Sequence, residues 1–261
     1  MEILNPLQLR EIFHLEFLRW LGRKLKAEHY ALKGGVNLRS FFHSIRYSED
    51  MDLDIRNIKV EFLKDTVMNI LSSDSFQDNL KPFGIERVIP PDITKAKQTQ
   101  TTQRFKVHLM AFAGEDLFTK IEFSRRGISG GVVVQPILDS ILRIYKLPPL
   151  LAPHYNIHSS IIQKINALAS RTIIQARDIF DLYVLSSQYE PSASKNKEGI
   201  TENKFSKAYE NIFEVNFEQF RDTVLSYLPL EEQLIYNSSP TWDEVKLKVA
   251  NFINELKKEY A

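Results

Sequence analysis

The stretch from Tyr30 to Ile55, Y-A-L-K-G-G-V-N-L-R-S-F-F-H-S-I-R-Y-S-E-D-M-D-L-D-I, leaves this chain few ways to fold. An apolar run stops at two glycines, and a second apolar run then carries an aspartate at every other position. Side chains alternate across a strand, so Asp50, Asp52 and Asp54 share one face while Met51, Leu53 and Ile55 turn the opposite way, toward a core. The pattern is strand, tight turn, short helix, strand, with one sheet face apolar and the other acidic. Three carboxylates so close together repel one another, and a hard divalent cation is their natural neutraliser.

The flanking sequence extends this into a sheet. From Pro6 to about His29 the apolar residues Leu7, Ile12, Phe13, Phe17, Trp20, Leu21 and Leu25 recur at helical intervals, with Arg10, Glu16, Arg23 and Lys24 on the other side. Asn5-Pro6 opens that helix. Tyr30 to Lys33 reads as a strand, Leu38 to Phe42 as a short helix, Asp50 to Ile55 as the acidic strand and Val60 to Leu71 as a helix. Asp74 to Gln103 is polar and carries Pro82, Pro90 and Pro91, which predicts a loop or a ragged strand pair. Arg104 to Ala113 and Leu117 to Ser124 predict a hairpin around Gly114, and Val132 to Val134 a short edge strand.

Beyond Pro136 the character becomes helical, at Ile137 to Tyr145, His158 to Ser170 and Ile173 to Ser186. Further helices fall between Lys204 and Leu228 and between Asp243 and Tyr260, after a solvated connection from Gln188 to Asn203. The expectation is an α+β protein: a mixed β-sheet domain over residues 1–140 and a helical domain over 141–261.

Composition narrows the function classes. A formal net charge of +1 gives no global attraction for polyanions, so any nucleic-acid contact must be a local patch. The absence of cysteine excludes disulfides, thiolate zinc sites and cysteine nucleophiles. The first residues lack a signal pattern and no apolar run approaches spanning length, so the sequence predicts a cytoplasmic protein with no membrane partner.

Nucleotidyl transfer needs carboxylates that hold Mg²⁺ and a turn whose backbone N–H groups meet the phosphates of a nucleoside triphosphate. Gly34-Gly35 at a strand-to-helix junction supplies such a turn, because backbone without side chains lets a phosphate come close. Asp50 and Asp52 would flank it, and Glu122 in F-T-K-I-E-F-S is the best third carboxylate, sharing its face with Lys120 and Ser124. A calcium loop competes, since Asp50, Asp52, Asp54 and Glu61 occupy its positions one, three, five and twelve. That loop needs glycine at position six, where this chain has β-branched Ile55, and a helix before it.

L-K-G-G-V-N-L followed by R-Y-S-E-D-M-D-L-D resembles the signature of the AbiEii-type nucleotidyltransferases, a branch of the polymerase-beta-like superfamily that includes toxins of bacterial toxin–antitoxin pairs. Lys164 to Arg171, K-I-N-A-L-A-S-R, followed by A-R-D-I-F-D-L from Ala176, is similar to that family's helical lysine and R-D-x-x-D motifs. The resemblance implies a nucleotidyltransferase-type fold whose helical domain completes the active-site cleft. It implies transfer of a nucleoside monophosphate from an NTP to a hydroxyl of an RNA end such as tRNA, or of a protein, with a two-ion Mg²⁺ site and an antitoxin partner. It also implies Asp50 and Asp52 as metal ligands, Lys164 on the nucleotide phosphates, and Asp178 or Asp181 completing the site. The alternative is a non-catalytic protein that binds a nucleotide or a partner on the same fold. Most relatives carry a hydroxyl residue directly after the turn glycine where this chain has Val36, with Asn37 the nearest substitute. Asp54 is the spare carboxylate, expected to tolerate substitution best.

Other residues admit two readings. Arg46 and Ser48 could steer phosphate or pair with Asp50. Arg177, Asp178 and Asp181 could serve the nucleotide, or form a buried ion pair in which Arg177 or Arg171 is the cation. His154 and His158 have zinc-like spacing without the accompanying glutamate, which argues against a metal there. Lys95, Lys97, Arg104, Lys106, Arg125 and Arg126 could form an RNA strip, but a solvated loop explains them better.

Overall fold

A computed structural model describes residues 4–94, 96–191 and 200–260. Helix α1 (Pro6–Lys24) starts at a capping box: the Asn5 side chain accepts from the Leu7 and Gln8 amides, and the Gln8 side chain accepts from the Asn5 amide. There follow β1 (Tyr30–Lys33), α2 (Gly34–Phe41), β2 (Met51–Ile55), α3 (Val60–Leu71), α4 (Asp74–Leu80), β3 (Ile85–Ile89), β4 (Thr102–Ala111), β5 (Asp116–Ser124), β6 (Val132–Pro136), α5 (Asp139–Ile144) and β7 (Leu151–Tyr155). The remainder is helical: α6 (Ile157–Ser170), α7 (Ala176–Ser186), α8 (Glu202–Ile212), α9 (Phe217–Thr223), α10 (Leu230–Tyr236) and α11 (Ser239–Tyr260).

The strands form one sheet in the order β3-β4-β5-β2-β1-β7-β6. β2 lies in its middle, parallel to β5 and antiparallel to β1, and β6 is an edge strand as its sequence predicted. One face of the sheet is apolar: Leu53 of β2, Phe105, Val107 and Leu109 of β4, and Ile121 and Phe123 of β5 are buried with Ile12, Phe13 and Phe17 of α1, Val67 of α3 and Phe76 of α4. Glu16, expected on the outer side of α1, is buried instead, because Arg19 one turn later closes over it with an ion pair of 3.0 Å.

The chain divides into two compact units, Met1–Phe41 with Tyr47–Tyr155, and Phe42–Arg46 with Asn156–Ala261. The sheet unit therefore runs past the expected boundary at residue 140. The reason is β7, which pairs with β6 on one side and with β1 on the other. Between Asp74 and Gln103, the expected loop or ragged strand pair is a helix and a strand. The Ser73 hydroxyl caps α4 by accepting from the Phe76 amide, and β3 pairs with β4. In the helical unit Phe180, Phe205, Phe220, Trp242 and Ile253 are buried, with the Trp242 indole stacked on Phe220 and donating to the Val215 carbonyl. No helix among the described residues is long and apolar enough to cross a membrane.

Candidate active site

The register of four strands sets Lys33, Asp52, Glu122 and Arg104 side by side, one each from β1, β2, β5 and β4. Neighbouring strands lie about 4.8 Å apart, so this is a continuous row across the sheet face opposite the core. Around it three carboxylates have a basic partner. Asp50 Oδ2 pairs with Lys120 Nζ at 2.7 Å, Glu122 Oε2 with Arg104 at 2.7 Å, and Asp54 Oδ1 with Lys33 Nζ at 2.6 Å. Asp52 is the exception: among the described residues nothing hydrogen-bonds to it or pairs with it. Burial raises its pKa, and the nearby charges of Lys33, Glu122, Lys120 and Asp50 pull in both directions without cancelling that rise.

Gly34 explains how that carboxylate fits. It opens α2 in the left-handed region, with φ of 68°, and a Cβ there would stand 3.0 Å from Asp52 Oδ2. The glycine thus serves both the turn and the close approach of an acidic oxygen to the start of the helix. Two other residues of this stretch point elsewhere. Val36 is buried in the core, and the Asn37 amide donates to the Tyr155 carbonyl at 3.1 Å and meets His154 Nδ1 at 2.9 Å. The expectation that Asn37 stands in for the missing hydroxyl is therefore corrected, since its side chain ties α2 to β7.

Asp54 needs correction too. Its second oxygen accepts from the Tyr155 hydroxyl at 2.7 Å, and burial together with that carboxylate pushes the Tyr155 phenol well above its ordinary pKa, which keeps it a donor. Asp54 is a buried anchor with two partners, not a spare. Ser48 shapes the approach to β2 by donating to the Asp50 carbonyl at 2.8 Å. The Thr119 hydroxyl donates to the Glu49 carbonyl at 2.7 Å, so His14 Nε2, 2.8 Å from that hydroxyl, must be its donor. Burial, reinforced by Arg10, lowers the His14 pKa to about 3, and the ring is neutral. Nothing in the sequence marked His14 or Thr119. Lys120 could have been found, since it shares its strand face with Glu122.

The motif residues of the helical unit engage one another. Arg46 binds Asp181 bidentately, with Nη2 at 2.9 and 3.0 Å from the two oxygens and Nε at 3.1 Å. Lys164 of α6 reaches Asp178 Oδ1 at 2.9 Å and also Asp181, and Arg171 Nη1 lies 2.9 Å from Asp178 Oδ2. Asp178 and Asp181 are fully buried. Burial works against the Lys164 charge, but Asp178 and Asp181 outweigh it and hold its pKa above the usual value. Asp181 is likewise opposed by burial yet held low by Arg46 and Lys164. Of the cations considered for this pair, Arg171 takes part, while Arg177 is exposed and outside the network. Arg46, read as a possible partner of Asp50, is committed to Asp181.

Among the described residues no group of three or more acidic or histidine side chains stands ready-made for a metal ion, because Asp50 and Glu122 are turned onto Lys120 and Arg104. The donor set itself fits a hard cation: oxygen ligands only, one of them unpaired and raised in pKa, beside a glycine that leaves room at its oxygen. His154 is bonded to Asn37 and Gln135 and stacks on Phe41, and His158 stacks on Tyr260 and bonds its hydroxyl. Of the basic strip, Lys95 lies outside the described residues. Arg125 donates to Gln103 and to the Ile58 carbonyl, Arg104 pairs with Glu122, and Lys97, Lys106 and Arg126 are exposed.

A mixed sheet that sets alternating aspartates beside a Gly-Gly turn, followed by a helical unit, is the architecture of the nucleotidyltransferase class of enzymes. The sequence matches the family described as "Nucleotidyl transferase AbiEii toxin, Type IV TA system" over residues 16–245. The chain belongs to the AbiEii nucleotidyltransferase toxin family. Its fold is similar to that of JHP933 from Helicobacter pylori, with a TM-score of 0.56 at 17% identity, covering 99% of this chain and 95% of that one. It is also similar to MenT4, a nucleotidyltransferase toxin from Mycobacterium tuberculosis H37Rv, with a TM-score of 0.65 at 12% identity, covering 98% of this chain and 87% of that one. A search of curated proteins returned no match.

Proposed function

We propose that the acidic row of the sheet unit is the catalytic centre, and that it transfers a nucleoside monophosphate from an NTP to an acceptor hydroxyl with release of pyrophosphate. The observation that carries this reading is the half-buried Asp52 carboxylate, without a side-chain partner among the described residues, set against Gly34. Asp50 and Asp52, with Glu122 as third ligand, would hold Mg²⁺, which when bound neutralises phosphate charge and activates the attacking hydroxyl. Lys120 and Arg104, which now occupy Asp50 and Glu122, would turn outward to the phosphates. The N-terminal amides of α2 at Gly34 and Gly35 would meet the triphosphate. The acceptor is an RNA end such as tRNA or a protein hydroxyl, and the biological setting is a toxin–antitoxin pair. Lys164, Asp178, Asp181 and Arg46 are read as the structural ion network of the helical unit, because each charge there already has a partner.

The test is incubation with each labelled NTP, Mg²⁺ and total cellular RNA or lysate. Label transfer is expected from the wild-type protein and should fall at least about a thousandfold in Asp52→Ala and Asp50→Ala, as for loss of a principal electrostatic group. Nucleotide binding without transfer to any acceptor overturns the reading in favour of a binding protein.

A further inference from the structure

The β4–β5 hairpin is longer than the strand beside it. β2 begins to pair with β5 at Met51 and Ile121, so β5 from Asp116 to Lys120 projects past it. On the face that carries Glu122 this projection presents Phe118 and Lys120 of β5 and Lys106 and His108 of β4, while Arg87 of β3 stands beside Met110. The opposite face, with Val107, Leu109, Leu117 and Thr119, is buried, so the outward set is fixed by alternation and cannot turn inward.

Phe118 is 60% exposed, a costly position for a phenylalanine, yet its ring is held. It lies almost parallel to the His108 imidazole, with ring centroids 4.6 Å apart and planes 17° apart, and His108 is anchored in turn by Asp116 at 2.8 Å. Lys106 and Arg87 are exposed, and among the described residues no carboxylate pairs with either. Phe118 and Glu122 lie four positions apart on the strand, about 13 Å along the same face. Phe112, also 60% exposed, follows Met110 at the hairpin turn, and the cations Lys106 and Arg87 beside these rings favour a partner that carries phosphates. A polynucleotide would find a flat ring for a base and cations for its phosphates.

We propose that the projecting β3–β4–β5 face binds the single-stranded end of an RNA acceptor, stacking a base on Phe118 and His108 and holding phosphates with Lys106 and Arg87. The inference rests on the transferase reading for the direction of the strand, whose terminal hydroxyl would run down the face toward Asp52. It deepens that reading by choosing RNA over protein as acceptor.

The full chain is tested with a fluorescent single-stranded RNA oligonucleotide for binding, and with the same RNA as acceptor for kinetics. Phe118→Ala and Lys106→Glu should each weaken binding and raise the KM for RNA about five- to tenfold, as stacking and phosphate contacts do elsewhere. Their kcat and KM for the NTP should be unchanged, and Phe118→Tyr should bind like wild type. Melting temperatures should stay within a degree or so, since both side chains are exposed. Wild-type binding and KM in Phe118→Ala and Lys106→Glu, or label transfer to protein alone with no RNA binding, overturns the platform. The two readings fail separately: RNA bound through Phe118 without label transfer defeats the transferase, while RNA labelled equally by the Phe118 variants defeats the platform.

Discussion

Asp52 in the sheet unit is half-buried and Asp181 in the helical unit fully buried, yet Asp181 is gripped by Arg46 and Lys164 while, among the described residues, no side chain pairs with Asp52. The pKa directions follow: Asp181 is held below its usual value and Asp52 is raised above it. The same residue type thus plays opposite parts. A buried charge with its partners in place has its desolvation offset, and removing one member leaves the others stranded. A half-buried charge without partners opposes folding, and it becomes favourable only when a ligand brings the missing countercharge.

The sharpest way to break this contrast is Asp181→Ala, which strands Arg46 and Lys164 and should destabilise the protein by about 3–5 kcal/mol in urea denaturation. A variant that melts like wild type would show that the network is not structural. Acid is the next probe. His14 and His154 are buried and neutral, with burial as the main cause and pKa values lowered to about 3 and about 4. The unfolded chain binds protons at these sites below about pH 6.5 and the folded sheet unit does not, so stability falls as pH drops. Between pH 7 and pH 5 the loss should be about 2 kcal/mol for each histidine, and His14→Gln should remove its share. The Asp181 contribution changes in the same direction but in a lower window: it is fully present above the ordinary carboxylate value and is lost only as pH falls further, through its lowered pKa. Denaturation followed by probes in each unit at pH 5 should therefore find the sheet unit weakened first.

Gly34→Ala should cost about 1–2 kcal/mol for a left-handed residue alone, and its Cβ would press on Asp52, so transfer should fall with it. Smallest of all, Asp52→Asn should leave the melting temperature unchanged or raise it by the equivalent of up to about 1 kcal/mol, although transfer is lost. A clear drop in stability would mean that Asp52 has a partner in solution.

Much of the sheet unit could be read from alternation. β1, the glycine turn, α2, β2, α3 and the β4–β5 hairpin follow directly from period and punctuation in Tyr30 to Leu71 and Arg104 to Ser124. β7 escaped because Leu151-Ala-Pro-His-Tyr is short and carries Pro153, and its place is set by β1 and β6, far away in sequence. α4 and β3 escaped because their apolar residues, Phe76, Leu80, Ile85 and Val88, are spread through a polar, proline-bearing stretch. The carboxylates of the site were legible as types on a face. Their partners were not, since Lys120 meets Asp50 through the parallel β2–β5 pairing and Arg46 meets Asp181 across 135 positions. Sequence pattern reports which way a side chain points, while register between distant strands decides what it meets.

The membership of Phe42–Arg46 in the helical unit limits how the gene can be cut. A fragment beginning at residue 156 would contain Asp181 without the Arg46 guanidinium, and would leave the Gln188 amide without the Phe42 carbonyl that it donates to at 2.7 Å. Truncation at the apparent boundary would therefore yield a damaged piece. Recombination between related genes could exchange the helical part successfully only by carrying these five early codons with it, so the two units are bound to a shared inheritance.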